Sequence, residues 1–275
     1  MLLAIDAGNT NVVFAVFDGA EKRAHWRIST DSRRTADEYA VWLISLMGMK
    51  GLSPADITDA ILSSVVPSQT YALTKLAEEH FGCEPMRVGA PDVDLGIRIK
   101  LDNPREAGAD RVVNAVSAVA AYPTPLIVID IGTGTTFDVV DAAGDFLGGV
   151  IAPGPALSLD ALHKVAAQLP KVDIVRPATA IGRGTVGAMQ SGMFWGYTGL
   201  IEGILKRIIA ELSPDGLTPV TVIGTGGLVR LFAEGSDLIH HIDGDLTLRG
   251  LRLIHERNSP RLKTGSYDRQ EASDG

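Results

Sequence analysis

The chain has 275 residues, 45% hydrophobic and 21% charged, with a formal net charge of −8, which suits one large globular domain or two of ordinary size. An acidic balance with no basic run beyond Arg33-Arg34 argues against nucleic-acid binding, yet it permits a small anionic ligand at a local positive site. A single cysteine, Cys83, excludes an internal disulfide. No apolar stretch approaches the roughly 18–20 residues of a membrane span, so a cytoplasmic protein is expected.

The N-terminus has no basic region and its apolar start is broken by Asp6, so it does not read as a signal peptide. Leu2 to Ile5 and Val12 to Phe17 are β-type stretches around a polar turn. Asp18-Gly19 turns the chain into a third strand near Ala24 to Ser29. A helix is expected from about Thr35 to Met47, with Asp37 and Glu38 in the first turn, where the helix dipole favours acids. Asp59 to Val66 reads as a buried strand stopped by Pro67. Ser68 is expected to cap a helix that reaches His80 and stops at Gly82. Ile97 to Leu101 alternates as a half-exposed strand does, and Arg105 to Ala121 turns helical, with Val112, Val113, Val116, Val119 and Ala120 on one face. Pro123 and Pro125 close that helix, and the domain boundary is expected near Tyr122.

The chain then repeats itself. LLAIDAGNTNVVFAVFD from Leu2 and LIVIDIGTGTTFDVVD from Leu126 both run strand, acid (Asp6, Asp130), glycine two residues on (Gly8, Gly132), small polar residues, strand. Turns of this kind present backbone N–H groups and hydroxyls to phosphate, beside a carboxylate that suits a cation. Two of them imply two similar halves holding one polyphosphate. A third glycine cluster, Gly224-Thr-Gly226-Gly227, follows a buried strand run and opens a helix, where a phosphate or flat ligand can approach the backbone. Gly182-Arg-Gly184-Thr-Val-Gly187 matches a dinucleotide fingerprint, but VRPATAI before it, with Pro177, is no central strand. No P-loop pattern occurs. The six histidines show no metal-ligand spacing.

A long helix is expected from Val186 to Leu212, striped by Gly192, Gly196, Gly199 and Gly203. Each costs about 1 kcal/mol against alanine in a helix. The stripe therefore asks for close approach by another backbone, either within the subunit or across a dimer. Asp110 and Arg111 sit after Gly108 at the start of an apolar helix. An acid there is ordinarily dipole complementation, but beside an arginine it can also take a hydroxyl proton while the arginine holds an anionic substrate. Residues 259–275 are polar and read as a disordered tail.

Taken in order, DAGNT at Asp6, GADR at Gly108, DIGTGTTFD at Asp130, GGVIAPG at Gly148, IGRGTVGAMQSG at Ile181, TGG at Thr225 and LTLRGLRLIHERN at Leu246 resemble the type III pantothenate kinases, members of the acetate-and-sugar-kinase/actin superfamily. The resemblance covers about residues 1–258. It implies an α/β protein of two ribonuclease-H-like domains, each a mixed β-sheet flanked by helices, here 1–121 and 122–258. It also implies ATP-dependent phosphorylation of pantothenate to 4'-phosphopantothenate, the first step of coenzyme A biosynthesis. ATP would be held by Asp6, Ala7, Gly8, Asn9, Thr10, Asn11, Val12 and Val13, joined by Thr133. Pantothenate would be held by Gly108, Ala109, Asp110, Arg111 and Thr185, with Asp110 as general base. Asp130 would bind a monovalent cation, K+ or NH4+, and Asp6 would act on Mg2+ through water. Family members are homodimers.

Departures from the family pattern are Leu101 for a substrate-contacting tyrosine, Ala166 for a threonine, Gly184 for Asn or Asp, Gly134 for alanine and Ala15 for glycine. None removes a proposed catalytic group. Rival readings are a superfamily kinase for another small hydroxy-acid or sugar, and a non-catalytic nucleotide-binding regulatory paralogue. The joint presence of Asp6, Asp110 and Asp130 speaks against the second.

Overall fold

The structure, a computed structural model, describes residues 1–166 and 169–259. The expected tail, from residue 260 on, lies outside the described residues. The chain forms two compact units. The first takes residues 1–97 and 105–117 together with the chain from Leu246 on, and the second takes 98–104 and 118–245.

In the first unit β1 (Leu2–Ala7) pairs antiparallel with β2 (Asn11–Asp18), and β2 antiparallel with β3 (Glu21–Ser29). On its other side β1 runs parallel to β4 (Asp59–Ser64), which runs parallel to β5 (Pro85–Arg87). The order is β3-β2-β1-β4-β5. Alternate residues of β1 and β4 point to opposite faces. Leu3, Ile5 and Leu62 pack with Phe14 and with Tyr39, Leu43 and Met47 of α1 (Ala36–Gly48), and with Leu73 of α2 (Pro67–Lys75). Burial of each large apolar side chain contributes about 1.5–3 kcal/mol.

Thr35 caps α1 reciprocally with Glu38: the Glu38 N–H donates to Thr35 Oγ1 at 3.3 Å, and the Thr35 N–H to Glu38 Oε2 at 2.8 Å. The expected cap at Ser68 is not the one used. Pro67 opens α2 and Val66 precedes it in extended geometry, because proline needs no N–H partner at the first helical position and pushes its predecessor out of the helical region. Helix α2 continues through a π-helical turn, Leu76–His80. Helix α3 (Ala109–Ala121) follows a short 3-10 turn, Pro104–Glu106.

The second unit repeats the plan. β6 (Leu126–Ile131) pairs antiparallel with β7 (Gly134–Val140), and β7 antiparallel with β8 (Phe146–Pro153). After α4 (Pro155–Val165) and the long α5 (Thr185–Leu212) comes β9 (Thr221–Thr225), parallel to β6. Helix α6 (Val229–Ala233) and β10 (His241–Ile242) complete it, giving the order β8-β7-β6-β9-β10. Ile127, Ile129, Ile131 and Phe137 pack under Phe194, Tyr197, Ile201 and Leu205 of α5.

The strand expected over Ile97 to Leu101 does not form. Only Ile99 bridges to Phe146, with Lys100 N–H donating to Phe146 O and Phe146 N–H to Arg98 O, both at 2.8 Å. Gly96 at φ +75° and Pro104 bracket the segment and leave little extended chain to pair.

The last helix, α7 (Leu246–Asn258), returns to the first unit and packs on β1 and β4. His255 reaches Asp59 at 3.7 Å, and Gly250 sits so close to the Val113 carbonyl that a Cβ there has no room. Two sheets with the same strand order, each flanked by helices, are the ribonuclease-H-like duplication of the actin and sugar-kinase type. Among the described residues, no helix is long and apolar enough to cross a membrane.

Candidate active site

Strand β1 is buried from Leu2 to Ile5 and delivers Asp6, half-buried, to the rim of its sheet. The hairpin then closes with Gly8 N–H donating to Asn11 O at 3.0 Å, leaving Asn9 and Thr10 exposed at the tip. A Cβ on Gly8 would press on that Asn11 carbonyl at 3.3 Å. Thr30, the residue after β3, braces the turn twice: its N–H donates to Thr10 O at 2.9 Å and its hydroxyl to Gly8 O at 2.7 Å.

Beside Asp6 in the parallel register stands Ser63 of β4, so both side chains lie on one face. Ser63 is fully buried, and its Oγ has no hydrogen-bond partner among the described residues. An orphaned hydroxyl of this kind costs about 1–3 kcal/mol.

That face of the sheet also carries Asp59, the register partner of Leu2, which α7 covers through His255. Helix α3 joins the same side, since Thr247 Oγ1 donates to Asn114 Oδ1 at 2.7 Å and Val113 meets Gly250. The structure therefore brings Asp6 and the start of α3 to one side of the first sheet. At that start, Asp110 Oδ1 accepts the Arg111 N–H at 2.8 Å, and Val112 N–H donates to Gly108 O at 3.1 Å. A Cβ on Gly108 would sit 2.8 Å from Asp110 Oδ1. Glycine is what allows the carboxylate to fold back over the turn. Ala109, Asp110 and Arg111 are all half-buried.

In the second unit Asp130 is half-buried at the end of β6, with Thr136 as its register partner on β7 and buried Thr225 on β9. Gly132 N–H donates to Gly134 O at 3.0 Å, and Thr133 is exposed at the tip. Gly154, directly after β8, donates its N–H to Thr133 O at 3.0 Å and packs so closely on the Gly132 and Thr133 carbonyls that no side chain fits. Gly226, at φ +93°, would place a Cβ 2.5 Å from Asp130 Oδ1. The third glycine cluster thus makes room for a carboxylate rather than only for a ligand.

Thr185 opens α5 and is exposed. It borders an open cleft of about 800 Å³ lined also by Leu162, Leu169, Arg183, Met189 and Met193. The segment ahead of it is not a strand, and Gly182 tucks against Ala188, which leaves the dinucleotide fingerprint without its required context. Of the substituted pocket positions, Leu101 packs over Gly148: a Cβ there would lie 2.8 Å from Leu101 Cδ2. The glycine stripe faces outward, and among the described residues no atom beyond the helix's own neighbouring backbone lies within 4 Å of a Cβ built on Gly192, Gly196 or Gly199. Exposed Val186 and Trp195 stand on the same helix, with Ile181, Leu162 and Val165 on neighbouring segments.

Asp6, Gly8 to Val13 and Gly108 to Arg111 thus belong to the first unit, and Asp130, Thr133 and Thr185 to the second. Sequence reasoning missed Thr30, Ser63, Gly154 and Tyr197. The first and third could have been found by aligning the two halves past their third strands. Ser63 and Tyr197 carry no local signal.

Comparison with known proteins identifies the family. The family model for type III pantothenate kinase matches residues 2–207. The type III pantothenate kinase of Rhodospirillum centenum is 77% identical over 261 residues, covering 95% of this chain and 100% of that protein. That of Paramagnetospirillum magneticum is 59% identical over 259 residues, covering 94% and 98%. Among solved structures, a conserved Baf family protein from Campylobacter jejuni superposes with a TM-score of 0.59 at 17% identity, covering 93% of this chain and 98% of that one, a likeness of fold.

Proposed function

The chain belongs to the type III pantothenate kinase family, and with pantothenate phosphorylation in coenzyme A biosynthesis as its activity, we propose how its residues divide the reaction. The observation that carries the proposal is the placement of Asp110 at the start of α3, on the side of the sheet where Asp6 ends β1. Asp6 to Val13 and Thr133 bind the ATP phosphates, with turn N–H groups and hydroxyls directed at the transferring phosphoryl. Gly108 to Arg111 and Thr185 hold pantothenate, the Arg111 guanidinium meeting its carboxylate.

Asp110 accepts the proton of the primary hydroxyl as that oxygen attacks the γ-phosphorus and the bond to ADP breaks. Its back-folded carboxylate, held by the Arg111 N–H at 2.8 Å, keeps one oxygen free of rotation while the other serves as base. In this reaction positioning and charge neutralisation carry most of the acceleration, so the base need not be a strong one.

Asp6 acts toward Mg2+ through water. Asp6, half-buried at the rim of the sheet with the exposed Asn9 and Thr10 beyond it, would meet a hydrated ion there through the ion's water shell. Mg2+ bound with ATP neutralises charge on the β- and γ-phosphates. Asp130 serves K+ or NH4+, a role supported by its half-buried carboxylate near the end of β6, between Thr136 of β7 and Thr225 of β9 in the register.

In chain order the duplicated domains are read as 1–121 and 122–258, the duplication being supported by the matching strand orders. Helix α7 (Leu246–Asn258) crosses back to pack in the first compact unit, and 98–104 and 118–121 group with the second. The protein works as a homodimer through the outward glycine stripe of α5, where the missing side chains leave room for a second backbone. It works in the cytoplasm, consistent with its single thiol.

The test is ADP production from ATP, Mg2+, K+ and pantothenate by the parent protein beside Asp110→Asn. Turnover surviving in the variant removes Asp110 from its role. Sedimentation as a monomer at working concentration refutes the dimer.

A further inference from the structure

The two polar turns are braced from the same place by different means. In the first unit Thr30, directly after β3, supplies both an N–H and a hydroxyl to the turn carbonyls. In the second unit Gly154, directly after β8, supplies the N–H but has no side chain, and close packing on Gly132 and Thr133 forbids one. The missing hydroxyl comes from α5. Tyr197 Oη donates to the Pro153 carbonyl, one residue before Gly154. It also lies 2.8 Å from Thr135 Oγ1, one residue after Gly134.

A phenol has one proton. With that proton given to Pro153, the Thr135 hydroxyl must be the donor to Tyr197. The network ties β7, β8 and α5 at one point, with Thr135 fully buried and Tyr197 only 6% exposed. Burial pushes the Tyr197 phenol above its ordinary value, so the donated proton is retained at working pH.

We propose that Tyr197 is a positioning residue for nucleotide binding: its hydroxyl holds Pro153–Gly154 against the Gly132–Gly134 turn and so fixes the direction in which Thr133 is presented. The inference rests on reading Thr133 as an ATP contact. It adds that the shape of that turn is set from α5, the helix whose first residue is Thr185 and whose outer face bears the glycine stripe. Displacement of α5 at either feature is felt at the nucleotide turn.

The experiment compares steady-state kinetics and ATP binding by calorimetry for Tyr197→Phe, Thr135→Val, Thr135→Ser and Thr133→Ala. Tyr197→Phe keeps the ring against Phe232, with centroids 5.1 Å apart, and removes only the hydroxyl. Loss of two buried hydrogen bonds is expected to raise KM and Kd for ATP about tenfold, with KM for pantothenate changed by no more than about twofold. Thr135→Val loses only the Thr135–Tyr197 bond and leaves the Tyr197 proton on Pro153. It is expected to give a smaller shift of about threefold in the same direction, and Thr135→Ser to behave as the parent, so the proposal stays testable if Tyr197→Phe folds poorly.

A lowered melting temperature with unchanged ATP affinity in both Tyr197→Phe and Thr135→Val overturns the proposal, because it leaves the network a purely structural role. If Thr133→Ala weakens ATP while those two variants do not, Tyr197 alone is refuted. If Thr133→Ala leaves ATP binding intact, the reading of the turn itself has failed, and the proposal falls with it.

Discussion

Between its last paired residues the first turn spends four residues, Gly8 to Asn11, and the second only three, Gly132 to Gly134. The longer loop closes on itself through Gly8 and Asn11 and is held by a threonine from the end of the third strand. The shorter one is squeezed between Gly154 and Gly226, two places where a side chain does not fit. A shared structural plan therefore tolerates two supports: a side chain that reaches in, or a backbone packed so tightly that side chains are excluded. The first kind of turn can be adjusted by substitution. The second can be adjusted only through what packs behind it.

The comparison has consequences of graded size. The largest concerns a residue in neither turn: Asp110→Asn is expected to lower kcat by about 10²–10⁴ with little change in KM for ATP. An equal loss from either turn acid alone would blur the division of labour. Next, Asp6→Asn is expected to lower kcat/KM for ATP by about 10² and to weaken Mn2+ binding seen by electron paramagnetic resonance. Asp130→Asn should instead flatten the dependence of rate on K+ and leave Mn2+ binding intact; exchange of these two signatures would reverse the assignment.

A smaller effect separates the glycines. Gly226→Ala forces φ +93° and a Cβ 2.5 Å from Asp130 Oδ1, with an expected loss of about 1–3 kcal/mol in denaturant unfolding. Gly8→Ala meets only Asn11 O at 3.3 Å and should cost less. Smallest is Thr30→Val, which removes one hydroxyl bond and is expected to cost about 1 kcal/mol, while Thr30→Ser keeps it.

The strands and both acids were legible because buried β-type runs ending in Asp are a local pattern, and the repeat made each more credible. The first helix was legible for the same reason, its acidic first turn being a local signal, while its Thr35–Glu38 cap emerged only in the structure. Other features depend on tertiary neighbours. Ile97 to Leu101 alternates like a strand, yet it pairs at one residue only. The glycine stripe announced a cost without saying which way it faced, and only the packed structure shows Gly192, Gly196 and Gly199 turned outward. Ser63 and Tyr197 lie in apolar runs and owe their interest to Asp6 and Pro153, residues far from them in the chain. Ser68 looked like a cap until Pro67 took precedence, a case where a rigid ring outweighs a hydroxyl.

The return of α7 to the first unit bears on how the polypeptide is made. Residues 1–117 cannot complete their compact unit until Leu246 to Asn258 has left the ribosome, because that helix covers the β1 and β4 face. At about 5–20 residues per second, the synthesis of the intervening chain imposes a wait on the order of ten seconds. Throughout it, the apolar face of Leu2, Ala4 and Ile61 lacks its final cover, while the second unit, residues 98–104 and 118–245, is already complete in the nascent chain and free to fold first.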